Sequence, residues 1–226
     1  MFTEKKALLL DMNSTFMFGE DRFGENDDFF VYYSSINGKL QKDKLAKIIR
    51  ATYKYLNDRY PDKKYRHNFP SVHEAINKTL GVKQSEEEIK RIISTFAFHE
   101  LGYIPYDFVE VLKTLKERFI LSVVIDIWSP KYMWLETFEK AGISNLFSAS
   151  SFSSDHGMVK PSPKPFELVV SQLNLLKEEC LVIGDSVRRD LGGSIAAGID
   201  CILVGGASDP RAIACFPSLV DFSNET

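Results

Sequence analysis

Five short apolar runs, at residues 7–10, 121–125, 146–149, 180–183 and 201–204, constrain this chain more than any other feature. Their hydrophobicity is continuous rather than alternating, which predicts strands covered on both faces, as in a parallel sheet. The later runs are spaced to admit a helix between each pair. Residues 106–118 carry Phe108, Val111, Leu112 and Leu115 at helical spacing. Ser129-Pro130 reads as an N-cap followed by proline at the first helical position, with Gly142 as the stop. Ser162-Pro163 repeats the device ahead of a helix over 166–175, and Asp190 opens a third helix that Gly198 closes. Strand–helix alternation of this kind predicts an α/β fold, doubly wound, with a five-stranded parallel sheet.

One segment breaks the alternation. About a hundred residues separate the first run from the second, far more than an ordinary crossover needs. Residues 42–60, 72–80 and 86–97 read as helices, with Gly81 as a stop, so the segment is expected to be a helical insertion. Gly19 and Gly24 bound it on one side and Gly102 to Pro105 on the other, as hinges or simply as turns. The remaining composition is that of an ordinary globular protein: 226 residues, 44% hydrophobic, 26% charged, net charge -3. A weakly acidic balance argues against nucleic acid and anionic membranes as partners. No run approaches the roughly 20 apolar residues of a membrane span, and the first apolar run stops at Asp11, too soon for a signal peptide. Cys180, Cys201 and Cys215 have no metal-ligand spacing; Cys180 and Cys201 flank apolar runs, so buried thiols in a reducing, cytoplasmic setting are expected.

Ligands of open α/β sheets sit outside the carboxyl ends of the strands. Four such ends carry chemistry here. The first reads Leu10-Asp11-Met12-Asn13-Ser14-Thr15 and the second Ile125-Asp126. Gly157-Met158-Val159-Lys160-Pro161 follows the third, and Ile183-Gly184-Asp185-Ser186 with Asp190 follows the fourth. A carboxylate on a rigid strand end can act as a nucleophile through a covalent aspartyl intermediate, and Asp11 is the candidate on the first strand.

In this order and at these strand ends, the four segments resemble the haloacid dehalogenase-like hydrolase superfamily. The resemblance covers residues 1–16 and 104–226. It implies a Rossmann-like three-layer sandwich, with residues 17–103 as a small α-helical cap domain. It implies a hydrolase, most readily a phosphatase of a small phosphorylated metabolite, monomeric or homodimeric. The catalytic set carried over is Asp11, Asn13, Asp126 and Lys160. Met12, Asn13, Ser14, Thr15 and Lys160 would hold the phosphoryl group, four of them through backbone amides. Mg2+ is the implied cofactor, with Asp11, the Asn13 carbonyl, Asp185 and Asp190 as its oxygen donors.

Two positions depart from the family pattern. Phosphatases of the family usually carry a second aspartate two residues after the nucleophile as general acid and base; here it is Asn13. An amide cannot give and recover a proton. The second departure is Asp126, where a serine or threonine usually holds a phosphoryl oxygen; a carboxylate there would repel a phosphate dianion. Asp126 is open to two readings, helix cap or functional group. Asp190 is open to a capping role as well. Gly192, Gly193, Ala196 and Ala197 read as small residues that let a helix approach the sheet. The basic stretch 39–66 is either an attractant for an anionic substrate or a solvated helix face, the second being preferred. A weakened family member that binds a phosphorylated ligand or a protein partner is the alternative function. A haloacid dehalogenase comes third.

Overall fold

The computed structural model describes residues 4–81 and 84–226; residues 1–3, at the start of the expected core, lie outside them. Six strands form one parallel sheet: β1 (Ala7–Leu10), β2 (Ile120–Ile125), β3 (Phe147–Phe152), β4 (Cys180–Gly184), β5 (Asp200–Leu203) and β6 (Ala214–Cys215), in the order β3-β2-β1-β4-β5-β6. This is one strand more than the sequence predicts. β6 is two residues long and only partly covered, so it leaves no apolar run to detect.

Successive residues of β1 point into different layers. Leu8 and Leu10 join Leu121, Val123, Leu181 and Ile183 in one core, under α5 (Tyr106–Lys116), α6 (Tyr132–Lys140) and α10 (Leu219–Asn224). Ala7 and Leu9 join Val124, Val182, Cys201 and Leu203 in the other, under α8 (Lys164–Leu173) and α9 (Gly192–Ala197). Two buried faces explain the uninterrupted apolar runs. β3 lies at the sheet edge, runs further than its apolar start and leads into the one-turn helix α7 (Ser153–His156). Ser148 and Ser150 point to solvent and Ala149 inward, an alternation that the search for continuous runs passes over.

Between β1 and α5 the described residues form four α-helices, α1 (Phe29–Ser35), α2 (Lys42–Asn57), α3 (Val72–Thr79) and α4 (Glu86–Glu100). α2 buries Leu45, Ile48, Ile49, Thr52 and Leu56 at helical spacing. α3 starts in a capping box of Ser71 and Glu74, and α4 on the Ser85 cap with three glutamates in its first turn. α1 was not expected: at seven residues it has too few turns for a period to show, although Asp28 caps it. The insertion has a hydrophobic core of its own, reaching from Phe23 to Phe96, to which the rest of the chain contributes Val159 and part of Trp128. The two connections to the sheet run side by side, Phe18 and Tyr103 exchanging both backbone hydrogen bonds at 2.9 and 2.8 Å. Gly102 permits this close pass, because a Cβ there would meet Phe18 O at 2.5 Å.

Three cations of the basic stretch have partners close by. Lys42 pairs with Asp28 and Lys54 with Asp58, while Arg50 donates to the carbonyls of Gly24 and Glu25.

Three capping expectations and one packing expectation are corrected; α8 begins after Pro163, not Ser162, with no side-chain cap. α6 begins after Lys131 with no side-chain cap, and Ser129 is buried beside Glu100 rather than capping the helix. The amides of Trp128 and Ser129 donate instead to Glu100, at the end of α4, at 2.5 and 3.0 Å. The turn after β4 is capped by Ser186, whose Oγ accepts from Arg189 N, and Asp190 lies inside a π-helical turn, Val187–Leu191. Gly193 permits approach to Phe166 of α8 rather than to the sheet, since a Cβ would meet that ring at 2.5 Å.

Glu100 is a buried carboxyl joining the insertion to the loop after β2. Burial, with Asp21 nearby, pushes it from 4.5 up to about 7, against the pull of the two amides. A raised folded-state value means the folded chain binds the proton more tightly. That contribution is full below 4.5 and is lost as pH rises through about 7. Urea unfolding of wild type and Glu100→Gln across this window should show the wild-type advantage shrinking with pH by on the order of 3 kcal/mol. A pH-independent difference would remove Glu100 as a titrating group.

Candidate active site

Asp11 follows β1 directly, and its amide donates to Ile183 O of β4 at 2.8 Å. Leu10 is in register with Val123 of β2 and Ile183 of β4, so Asp11, Asp126 and Asp185 emerge at one rim. The order of the strands reverses at β1, which makes this rim the topological switch point of the sheet.

Lys160 holds the site together. Its Nζ donates to Asp11 Oδ1 and, at 2.7 Å, to Asp190 Oδ1, and all three residues are buried. Asp11 Oδ2 also faces the Thr15 hydroxyl at 3.4 Å. Burial pushes the Asp11 carboxyl up to about 7, with Lys160 opposing the shift. The paired carboxylates hold the Lys160 ammonium firmly protonated against the cost of its burial. The second oxygen of Asp190 accepts from Ser186 N at 3.0 Å. Gly184 is what admits this arrangement, since a Cβ there would lie 2.3 Å from Asp190 Cγ.

Asp11, Asp185 and Asp190 each offer a carboxylate oxygen, all within 4.8 Å of one another. Three hard anionic donors this close suit a small divalent cation such as magnesium, which prefers oxygen ligands and keeps several waters. Asp185 is half-buried, its carboxyl raised by burial and by Asp190. Its direct side-chain contact is Arg189 Nη2 at 3.4 Å.

The turn after Asp11 is tight. Ser14 has φ +59, and its amide donates to Met17 O at 2.8 Å, while the Thr15 amide donates to Met12 O at 3.1 Å. The expected four-amide phosphate cradle is therefore narrower: two of its amides are already bonded within the turn, which leaves those of Met12 and Asn13. The Asn13 side chain buries Oδ1 without a partner among the described residues.

Asp126 caps no helix. Its Oδ2 accepts from the Tyr60 hydroxyl at 2.6 Å and from Lys160 N at 2.9 Å, and its Oδ1 is buried without a partner among the described residues. Burial raises its carboxyl, while Lys160, Tyr60 and Arg189 pull the other way. Tyr60 belongs to the segment after α2, which also meets the Lys160 loop through its backbone. Phe69 N donates to Gly157 O at 2.8 Å and Val159 N to Arg66 O at 3.0 Å. Tyr60, Glu100 and Arg189 were not singled out from the sequence. Tyr60 and Glu100 lie far along the chain from the strand ends, and only Arg189 carried a signal, as the residue before Asp190.

Comparison with known proteins identifies the chain. The family model of the haloacid dehalogenase-like hydrolases matches residues 5–198, and the chain belongs to that family of hydrolases. Pyrophosphatase PpaX of Halalkalibacterium halodurans is 32% identical over 129 residues, which cover 54% of this chain and 58% of the relative. The aligned stretch thus spans little more than half the length of either protein. Among solved structures, the fold resembles a HAD phosphatase from Thermococcus onnurineus (TM-score 0.63, 19% identity, 97% of each chain). It resembles equally a 2-haloacid dehalogenase from Pseudomonas syringae (TM-score 0.64, 16% identity, 97% of each chain). Architecture alone thus does not choose between the two chemistries.

The contact between Gly184 and Asp190 gives a local test. Gly184→Ala should displace Asp190 from Lys160 and destabilise the fold by about 1–3 kcal/mol through overpacking. Gly192→Ala is the control, because its Cβ would meet Pro161 at an ordinary 3.5 Å. Denaturant unfolding should leave Gly192→Ala within about 1 kcal/mol of wild type; equal losses in the two variants would discard the steric account.

Proposed function

We propose that the chain is a magnesium-dependent phosphatase acting on a small, activated phosphate, with residues 17–103 as a cap over the site. The observation that carries this reading is the cluster of Asp11, Lys160, Asp185 and Asp190: a nucleophile, a fixed ammonium and an acidic trio, all at one rim. The acidic trio favours phosphoryl transfer over dehalogenation, which needs no cation. Bound between Asp11, Asp185 and the Asn13 carbonyl, magnesium would supply positive charge against the incoming phosphate. Free thiols at Cys180, Cys201 and Cys215 suit a reducing, cytoplasmic setting.

An oxygen of Asp11 attacks phosphorus, the bond to the leaving oxygen breaks, and an aspartyl phosphate remains. Lys160 stays paired with the nucleophile and faces the charge of the transferring group. Asn13 has no proton to give the leaving oxygen. The reaction therefore favours leaving groups that depart as stable anions, such as aryl, acyl or phosphoryl groups. Pyrophosphatase activity, named for one relative, belongs to that class. Water then attacks the aspartyl phosphate without a carboxylate base at position 13, so the second half-reaction is the slow one.

Magnesium should raise the melting temperature of wild type, and Asp185→Ala should lose most of that rise, since a ligand stabilises only a state it binds. An unchanged response in the variant takes Asp185 out of the site. On an aryl phosphate, wild type should give a burst followed by slow turnover. Asn13→Asp should speed that turnover by up to about a hundred-fold, and Asp11→Asn should abolish both phases. A second reading, a family member that binds a phosphorylated ligand without turning it over, is favoured by the unpartnered Asn13 Oδ1. It takes over if Asn13→Asp gains nothing over wild type.

A further inference from the structure

Asp126 poses an electrostatic problem that another residue of the same rim answers. The four carboxylates Asp11, Asp126, Asp185 and Asp190 face two cations, Lys160 and Arg189. With a serine or threonine at position 126 and a neutral residue at 189, the count would be three carboxylates and one cation. The net charge is the same, -2, in both cases. Arg189 thus offsets the charge that Asp126 adds, and one divalent cation neutralises either site.

Arg189 is also placed to do more than balance. It lies in the π-helical turn after β4, between Asp185 and Asp190 in the chain, and is half-buried. Its charge acts on Asp126, and Tyr60, Asp11, Asp190 and Asp185 act on it in turn. Its direct side-chain bond to an acceptor is a long one, 3.4 Å to Asp185 Oδ1. A guanidinium has five N–H donors in a planar fork that matches two oxygens of one phosphate. Among the described residues nearly all of that capacity is unused, at the rim where the proposed phosphate would bind. Asp126 meanwhile accepts hydrogen bonds from Tyr60 and Lys160 and has no hydroxyl to offer a phosphoryl oxygen.

We propose that Arg189 is a phosphate-binding residue of this site, taking over at the end of β4 the phosphoryl contact that a hydroxyl at position 126 would otherwise make. The inference rests on the phosphatase reading and assigns its phosphate grip. Arg189 binds two oxygens of the group, and Asp126 is the anion whose presence makes an added cation necessary. The two positions therefore work as a pair.

The test is calorimetric titration of the intact protein with inorganic phosphate in saturating magnesium, alongside aryl phosphate turnover. Arg189→Gln should weaken phosphate binding by about tenfold or more, the usual worth of charge-assisted hydrogen bonds. Arg189→Lys, which keeps the charge and loses the fork, should fall between the two. Asp126→Ser added to Arg189→Gln should recover much of the loss, because the pair is then removed together. The magnesium-dependent rise in melting temperature should persist in Arg189→Gln, which separates lost phosphate contact from a collapsed site. Equal phosphate affinity in wild type and Arg189→Gln overturns the inference and leaves the phosphatase reading intact. Loss of affinity in Arg189→Gln without recovery by Asp126→Ser overturns the pairing. Arg189-dependent phosphate binding without aryl phosphate turnover keeps Arg189 as the ligand's contact and removes the enzyme reading. No phosphate binding by wild type overturns both.

Discussion

Lys160 donates to two carboxylates in a place where all three charges are shut off from solvent, and the rest of the rim is arranged around that fact. Charges brought out of water repay their desolvation only when geometry and further hydrogen bonds are good. Here they are. Ser186 N satisfies the second oxygen of Asp190, the Thr15 hydroxyl faces Asp11, and Gly184 clears the space that Asp190 folds into. Taking the lysine away would leave two buried anions facing each other, a change worth about 3–5 kcal/mol where a single buried pair is broken. The cluster is therefore a stabilising element only while complete. Its components come from three separate strand connections, so completing it also fixes how those connections sit.

The parallel sheet is what allows three connections to meet. Each strand hands its following residue to the same edge, and the registers of β1 with β2 and of β1 with β4 leave Asp11, Asp126 and Asp185 at that edge. Covering both faces with helices makes the strands apolar throughout, so polar residues are confined to their ends. A polar residue immediately after an apolar run is consequently a stronger signal in this fold than the same residue elsewhere. That is why Asp11, Asp126, Lys160 and Asp185 are legible in the chain, and the structure places all four at this rim.

What escaped the sequence did so for physical reasons. β6 and α1 are too short to establish a period, and β3 hides its second half behind the serines of an edge strand. Ser129 satisfied every local rule for an N-cap. A carboxylate from α4 took the amides of that loop, and nothing near Ser129 in the chain announces Glu100. Tyr60 was invisible for the same reason: its hydroxyl matters only because the insertion folds back over β2. Local propensity describes what a segment can do alone. Contacts between the insertion and the sheet decide what its polar groups actually meet.

The same folding back changes the meaning of Asp126. Taken alone, a carboxylate beside a phosphate site is an obstacle. In the structure one of its oxygens bonds Tyr60 from the insertion and the amide of Lys160 from the core, so it joins the two halves at the lysine that pairs with Asp11. The Phe69–Gly157 and Arg66–Val159 backbone bonds run beside it and hold the same two segments together. A serine could still make one such bond, yet its neutral hydroxyl accepts more weakly than a carboxylate. The carboxylate at position 126 thus makes a firmer junction between insertion and core than a hydroxyl would. The charge it adds calls for a cation near enough to offset it. Arg189, in the turn that also carries Asp185 and Asp190, is that cation.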